Sequence, residues 1–170
     1  MTKKYPPLEL VAPLMFALVF VIMLIYSRFE PHVDDVDAAY IREHFGKAGY
    51  VLIDARPEES YMGKSPRAGI PGGHIPGAVS FPFANLSGNT QIVAALLAKE
   101  GITKDKTVIT YCNTGVSSGR MADQLVTRFK FSPLRVKHYR GSIVDWIKDP
   151  KNILLPEDHE SSYTHLEEGQ

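Results

Sequence analysis

Apolar and polar positions divide the chain into stretches with different rhythms. From Leu8 to Tyr26 the residues LELVAPLMFALVFVIMLIY run without a polar face and with one charge, Glu9. A helix over this run is ~28 Å long, close to the ~30 Å hydrocarbon core of a bilayer, which predicts one transmembrane helix over 8–26. Pro13 lies near one end of the span, where a lost backbone bond is tolerated. A buried core helix would show a polar stripe, and this run shows none. A cleaved signal peptide stays open as an alternative, because Lys3 and Lys4 precede the run; no A-x-A-like site follows before Pro31. Lys3, Lys4 and the terminal amine stand against Arg28 alone, a bias that places the N-terminus inside. In a bacterium the expected location is the inner membrane, with the rest of the chain in the periplasm.

Beyond this segment, short apolar runs alternate with amphipathic ones. Glu30 to Val36 reads as a polar linker, with Asp34 or Asp35 capping a helix that reaches about Phe45. Apolar, β-rich runs at Tyr50–Ile53, Ala78–Phe81, Thr107–Tyr111 and Val136–Tyr139 predict four strands. Between and after them come a short helix behind Pro57, a helix capped by Thr90, a helix ending near Phe129 and a last one opening at Gly141-Ser142. Lys64 to Gly77 is dense in glycine and proline and reads as loop. The pattern predicts an α/β domain with an open, mostly parallel sheet flanked by helices. The chain then divides into an anchor over 1–29, a domain over 30–150 and a polar, mobile tail over 151–170. In such sheets ligands collect beyond the carboxyl ends of the strands, and Arg56 and Cys112 lie at two of these ends.

Composition narrows the function classes. Lys+Arg and Asp+Glu are both 19, so nothing in the charge points to nucleic acid. With 44% hydrophobic residues a domain of this size buries a real core. The single cysteine excludes an internal disulfide framework and a Cys-rich zinc site. His159 and His165 have no metal-ligand spacing, so no metal is expected. His74 reads as a hydrogen-bonded loop residue rather than a base, and Trp146 as a core residue.

Candidate chemistry centres on VITYCNTGVSSGRMADQL. An apolar strand delivers Cys112 to a tight turn, where Gly115 lets the backbone curl, and Ser117 or Ser118 starts the next helix. Backbone N–H groups of Asn113, Thr114, Gly115, Val116, Ser117 and Ser118 then face one spot, a nest that favours a thiolate or another anion. The Ser117 and Ser118 hydroxyls also lie within reach of the sulfur. A buried, inert cysteine remains the alternative on these residues alone. A phosphatase loop of the Cys-x5-Arg type requires an arginine where Ser118 stands, so phosphate is poorly served.

Four segments in order resemble the rhodanese family over roughly Asp37 to Asp149. These are LIDAR with Glu59 and Tyr61, GGHIPGAVSFPFANL from Gly72 to Leu86, TYCNTGVSSG, and YRGSIVDW from Tyr139 to Trp146. The likeness is to the catalytic half of thiosulfate and 3-mercaptopyruvate sulfurtransferases. It implies a Cys112 persulfide formed from a small anionic donor and discharged to a thiol, cyanide or protein-dithiol acceptor, with no other cofactor. By position in the motifs, Arg56 and Arg67 match arginines that orient anionic donors, and Asp54 matches an acid that ties the loops together. Asn113 and Thr114 replace cations usual in thiosulfate-preferring relatives, and Arg140 replaces an acid usual before Gly141-Ser142. A catalytically silent binding module and a thiol-redox relay are the competing expectations.

Overall fold

A computed structural model of the chain describes residues 8–27, 32–64 and 69–156. It falls into two units, divided between His32 and Val33. The first holds helix α1, Leu8–Ser27, with Pro13 inside it. Side chains of α1 are described over 11–24, and from 12 to 24 they are exposed. Among the described residues no helix is long and apolar enough to cross a membrane, so the expected anchor gains no support here.

The second unit is a five-stranded sheet, ordered β1-β5-β4-β2-β3, with every neighbouring pair parallel. The strands are β1 Asp34–Val36, β2 Tyr50–Asp54, β3 Ala78–Ser80, β4 Thr107–Tyr111 and β5 Val136–Tyr139. The helices are α2 Ala38–His44, α3 Glu58–Tyr61, α4 Thr90–Lys99, α5 Val116–Thr127 and α6 Ser142–Trp146.

Alternation along the strands builds a core on each face, as parallel sheets require. Val51, Ile53, Val108 and Val136 pack with Val93 and Leu97 of α4 and Met121 and Leu125 of α5. Leu52, Ile109, Tyr111 and Tyr139 pack on the other face with Ile41 of α2, Tyr61 of α3 and Ile143 and Trp146 of α6. Ile53, Val108 and Leu125 are fully buried, each contributing roughly 1.5–3 kcal/mol.

Three expectations are corrected. Residues 34–36 are not linker or helix cap but a strand on β5, in register Asp34 to Lys137 and Asp35 to His138. The cap of α2 is Asp37, which accepts from the Tyr40 N–H, and the cap of α4 is Asn89 rather than Thr90. Residues 151–156 are also not free tail. Leu155 pairs with His74 in an isolated antiparallel bridge and is buried, and the Trp146 indole N–H donates to the Ile153 carbonyl at 2.9 Å. The remainder of the expected tail, 157–170, lies outside the described residues.

The chain leaves β2 toward β3 on one side, and later leaves β4 toward β5 on the other. The sheet therefore reverses direction between β2 and β4, and their carboxyl ends, Asp54 and Tyr111, are register partners. Such a reversal opens a crevice where ligands bind. Cys112 follows Tyr111 directly.

Candidate active site

β4 is buried from Val108 through Tyr111 and fixes where the turn after it begins. The turn closes at Gly115, the N-cap of α5, with φ +88°. A Cβ at Gly115 would collide with the Arg140 carbonyl oxygen, so glycine is required by conformation and by space. The loop is thereby pressed against the end of β5. The Ile143 N–H donates to the Cys112 carbonyl at 3.1 Å and the Val144 N–H to that of Asn113 at 3.2 Å. Ser142 completes the clamp. Its Oγ accepts from the Cys112 N–H at 3.1 Å, donates to the Tyr139 carbonyl at 2.9 Å, and lies 4.0 Å from the sulfur. Ser142 holds φ +54°, a left-handed conformation that costs a residue with a Cβ about 1–2 kcal/mol.

The Cys112 side chain is buried, and its sulfur accepts from the Gly115 N–H at 3.1 Å and from the Ser118 hydroxyl at 3.4 Å. Burial pushes the thiol up. The Ser117 and Ser118 hydroxyls and the Ser118 and Thr114 N–H groups more than reverse this, and hold it at about 7. A thiol with this value is substantially thiolate at neutral pH, the form that attacks sulfur and carbon electrophiles. Since the group's value is depressed, the thiolate is present above about pH 7 and is lost as pH falls through it.

The other residues singled out in the sequence divide into distinct positions. Gly115 caps α5, so Ser117 and Ser118 are not its caps; they sit in its first turn and act on the sulfur. Thr114 contributes its backbone N–H. Val116, the first residue of α5, is exposed, and the buried Oδ1 of Asn113 has no hydrogen-bond partner. Arg67 lies outside the described residues.

Arg56 requires a correction. The expectation placed it among donor-orienting cations, but its side chain is 1% exposed and ion-paired to Asp54 at 2.6 Å. Its Nη2 also donates to the Gly73 carbonyl, and Asp54 accepts from the Arg56 N–H and from the Tyr111 hydroxyl. The Tyr111 hydroxyl in turn accepts from the Ile75 N–H at 3.1 Å. This network joins β2, β4 and the 73–75 loop at the carboxyl ends of the two strands. The Arg56 Nη1 is buried without a hydrogen-bond partner, so the guanidinium keeps one unused donor inside the domain and none at an exposed surface. Arg140, in contrast, is exposed and lies with its Nε 3.4 Å from Asp35.

Three residues at the site are not read as site residues in the sequence, where Asp35 is a candidate helix cap and Ser142 a helix start. They are Ser142, and the pair His138 and Asp35, whose Nδ1 and Oδ1 are 2.9 Å apart. His138 Nε2 lies 3.1 Å from Ser118 Oγ and 3.1 Å from the Gly115 carbonyl. The signal available was His138 itself, a polar residue within a run read as a buried strand, which needs hydrogen-bond partners there.

The match to known proteins is specific at this point. Residues 37–149 match the model of the rhodanese-like domain. The chain belongs to the rhodanese-like family. It is 37% identical over 118 residues to the thiosulfate sulfurtransferase of Azotobacter vinelandii, covering 65% of this chain and 42% of that one. Identity to the mitochondrial thiosulfate/3-mercaptopyruvate sulfurtransferase 1 of Arabidopsis thaliana is 33% over 133 residues, covering 73% and 34%. The 3-mercaptopyruvate sulfurtransferase of Escherichia coli is 30% identical over 102 residues, covering 56% and 35%. This rhodanese-like chain thus spans less than half the length of these relatives. The fold is shared with the anaerobic ergothioneine biosynthesis enzyme from Chlorobium limicola, at TM-score 0.64 and 24% identity, over 71% of this chain and 31% of that one.

Proposed function

We propose that this rhodanese-like chain is a sulfurtransferase that carries sulfane sulfur as a persulfide on Cys112. The observation that carries the proposal is the environment of the Cys112 sulfur, which accepts from the Gly115 N–H and the Ser118 hydroxyl and whose thiol is held at about 7 by such donors. Such a thiolate attacks the outer sulfur of a donor of the thiosulfate or 3-mercaptopyruvate kind. The S–S or C–S bond of the donor breaks, and sulfite or pyruvate (as its enolate) leaves with the bonding pair. The terminal sulfur of Cys112–S–S⁻ is itself an anion, and the same N–H and hydroxyl donors are positioned to stabilise it. A thiol, cyanide or a protein dithiol then attacks that sulfur and restores the Cys112 thiolate.

The names of the relatives support both donors. The absence of cations at Asn113 and Thr114 favours 3-mercaptopyruvate over thiosulfate, because thiosulfate brings two negative charges into a loop that supplies only dipoles. A donor comparison tests this. With the full chain and cyanide as acceptor, kcat/KM is expected to be higher for 3-mercaptopyruvate. Turnover of either donor by Cys112→Ala at the wild-type rate would overturn the proposal. A silent binding module or a thiol-redox relay would show no turnover with either donor.

Membrane attachment through 8–26, with the catalytic unit in the periplasm, belongs to the same proposal and rests on the apolar sequence alone. Reporter fusions at the C-terminus test it: an active periplasmic reporter is expected, and activity of a cytoplasmic one would contradict it.

A further inference from the structure

The mechanism above leaves unassigned a buried imidazole within reach of the reactive loop. His138 is 8% exposed and lies on the β5 face that packs against α5, where Gly119 leaves room for it. A Cβ at Gly119 would come within 3.3 Å of the imidazole Cε1. Each ring nitrogen is committed. Nδ1 faces the Asp35 carboxylate at 2.9 Å, and Nε2 faces both Ser118 Oγ and the Gly115 carbonyl at 3.1 Å. Ser118 Oγ lies in turn 3.4 Å from the Cys112 sulfur.

The hydroxyl proton of Ser118 has three acceptors in reach: the Cys112 sulfur, the Gly115 carbonyl and His138 Nε2. A carboxylate and a carbonyl only accept hydrogen bonds, so Nδ1 and Nε2 both face acceptors when the ring carries both protons. In that state Nε2–H occupies the Gly115 carbonyl and the Ser118 oxygen, and the Ser118 proton is left for the sulfur. When Nε2 carries no proton, it accepts from Ser118 instead, and Ser118 Oγ accepts from the Cys112 S–H. The heavy atoms need not move between the two states.

We propose that Asp35, His138 and Ser118 form a proton relay to Cys112. The S–H bond breaks as its proton passes to Ser118 Oγ, and the Ser118 O–H bond breaks as that proton passes to His138 Nε2. A thiolate hydrogen-bonded by Ser118 results, with an imidazolium held between Asp35 and Gly115; no electrons are gained or lost. Ser118 touches the reacting sulfur. His138 and Asp35 act through it as positioning residues. The charged groups facing the ring are Asp35 from β1 and, through the second oxygen of Asp35, Arg140 at the end of β5. α5 presents Gly119 and Ser118 to the ring, both uncharged.

The relay deepens the sulfurtransferase proposal and rests on it for its purpose, but its test reads the thiol directly. In the full chain, the pH dependence of Cys112 alkylation by iodoacetamide reports the thiolate fraction. The wild type is expected to show a midpoint near 7. His138→Leu, Ser118→Ala and the double variant are each expected to move it up by about one unit, or about tenfold less thiolate at a fixed lower pH. The double variant is expected to move no further than Ser118→Ala alone, because His138 reaches the sulfur only through the Ser118 hydroxyl. Ser118→Thr retains the hydroxyl and is expected to stay near the wild type. His138→Gln keeps a neutral donor of similar reach, and is expected to shift like His138→Leu without a packing defect.

The ring nitrogens supply a second readout. Across the pH range of the Cys112 titration, the ¹⁵N shifts of His138 are expected to change together with the thiol in the wild type and to lose that step in Cys112→Ala. An unmoved midpoint in folded His138→Gln, additive shifts in the double variant, or a His138 ring indifferent to Cys112→Ala would each overturn the relay. Persulfide mass measured on the same samples keeps the two proposals apart. Sulfur uptake with an unmoved midpoint sinks the relay alone, while a moved midpoint without uptake sinks the transfer reaction alone.

Discussion

Arg56 and Asp54 stand two residues apart at the end of β2, and their side chains close on each other at 2.6 Å in a site with almost no solvent. A buried pair of this kind is costly to break, because the surviving charge has no water to turn to. Arg56→Lys keeps the charge but loses the fork that joins Asp54 to the Gly73 carbonyl. It is expected to lower the stability to urea by roughly 1.5–3 kcal/mol while leaving the donor KM unchanged. A raised KM at unchanged stability would return Arg56 to donor binding. The sequence made Cys112 and Gly115 legible because a strand, a cysteine and a glycine-bearing turn are local features. It did not reveal the contact between His138 and Asp35, since 103 positions separate them and only strand register brings them together.

Elements with a clear period were readable, and those without one were not. β2 and β4 are apolar on both faces, so their runs announce buried parallel strands. β1 is Asp34-Asp35-Val36, with no apolar alternation to mark it. Pairing with β5 makes it a strand: Lys137 meets Asp34 at 2.6 Å, and His138 meets Asp35 on the opposite face. The segment 151–156 escaped notice for a similar reason. Its hold on the domain includes the bridge to His74, the buried side chain of Leu155, the Trp146 bond to Ile153 and the Asn152 bonds to Arg42 and the Trp146 carbonyl, none of which has a sequence period. Leu155→Ala is therefore expected to destabilise the domain by roughly 2–5 kcal/mol, measured by thermal or urea unfolding. A variant as stable as the wild type would show that this segment is a loose tail after all.

Over the whole molecule, alternation of strands and helices foretold the parallel sheet but not its order. Which strands are neighbours depends on crossovers, which leave no local pattern in the chain. The order matters for function because the reversal between β2 and β4 sets Cys112 at the carboxyl end of the sheet, directly after Tyr111 of the Asp54–Arg56–Tyr111 network. Under the proposed function, Cys112, the single cysteine of the sequence, serves as both sulfur acceptor and sulfur donor. The most direct test is a single turnover on isolated, loaded protein. The full chain is incubated with 3-mercaptopyruvate, freed of donor, weighed by intact mass spectrometry and then treated with cyanide. The account predicts a gain of about 32 Da on Cys112, followed by release of one thiocyanate per loaded chain and return to the starting mass. An unchanged mass, or added sulfur that persists in Cys112→Ala or resists cyanide, would contradict it.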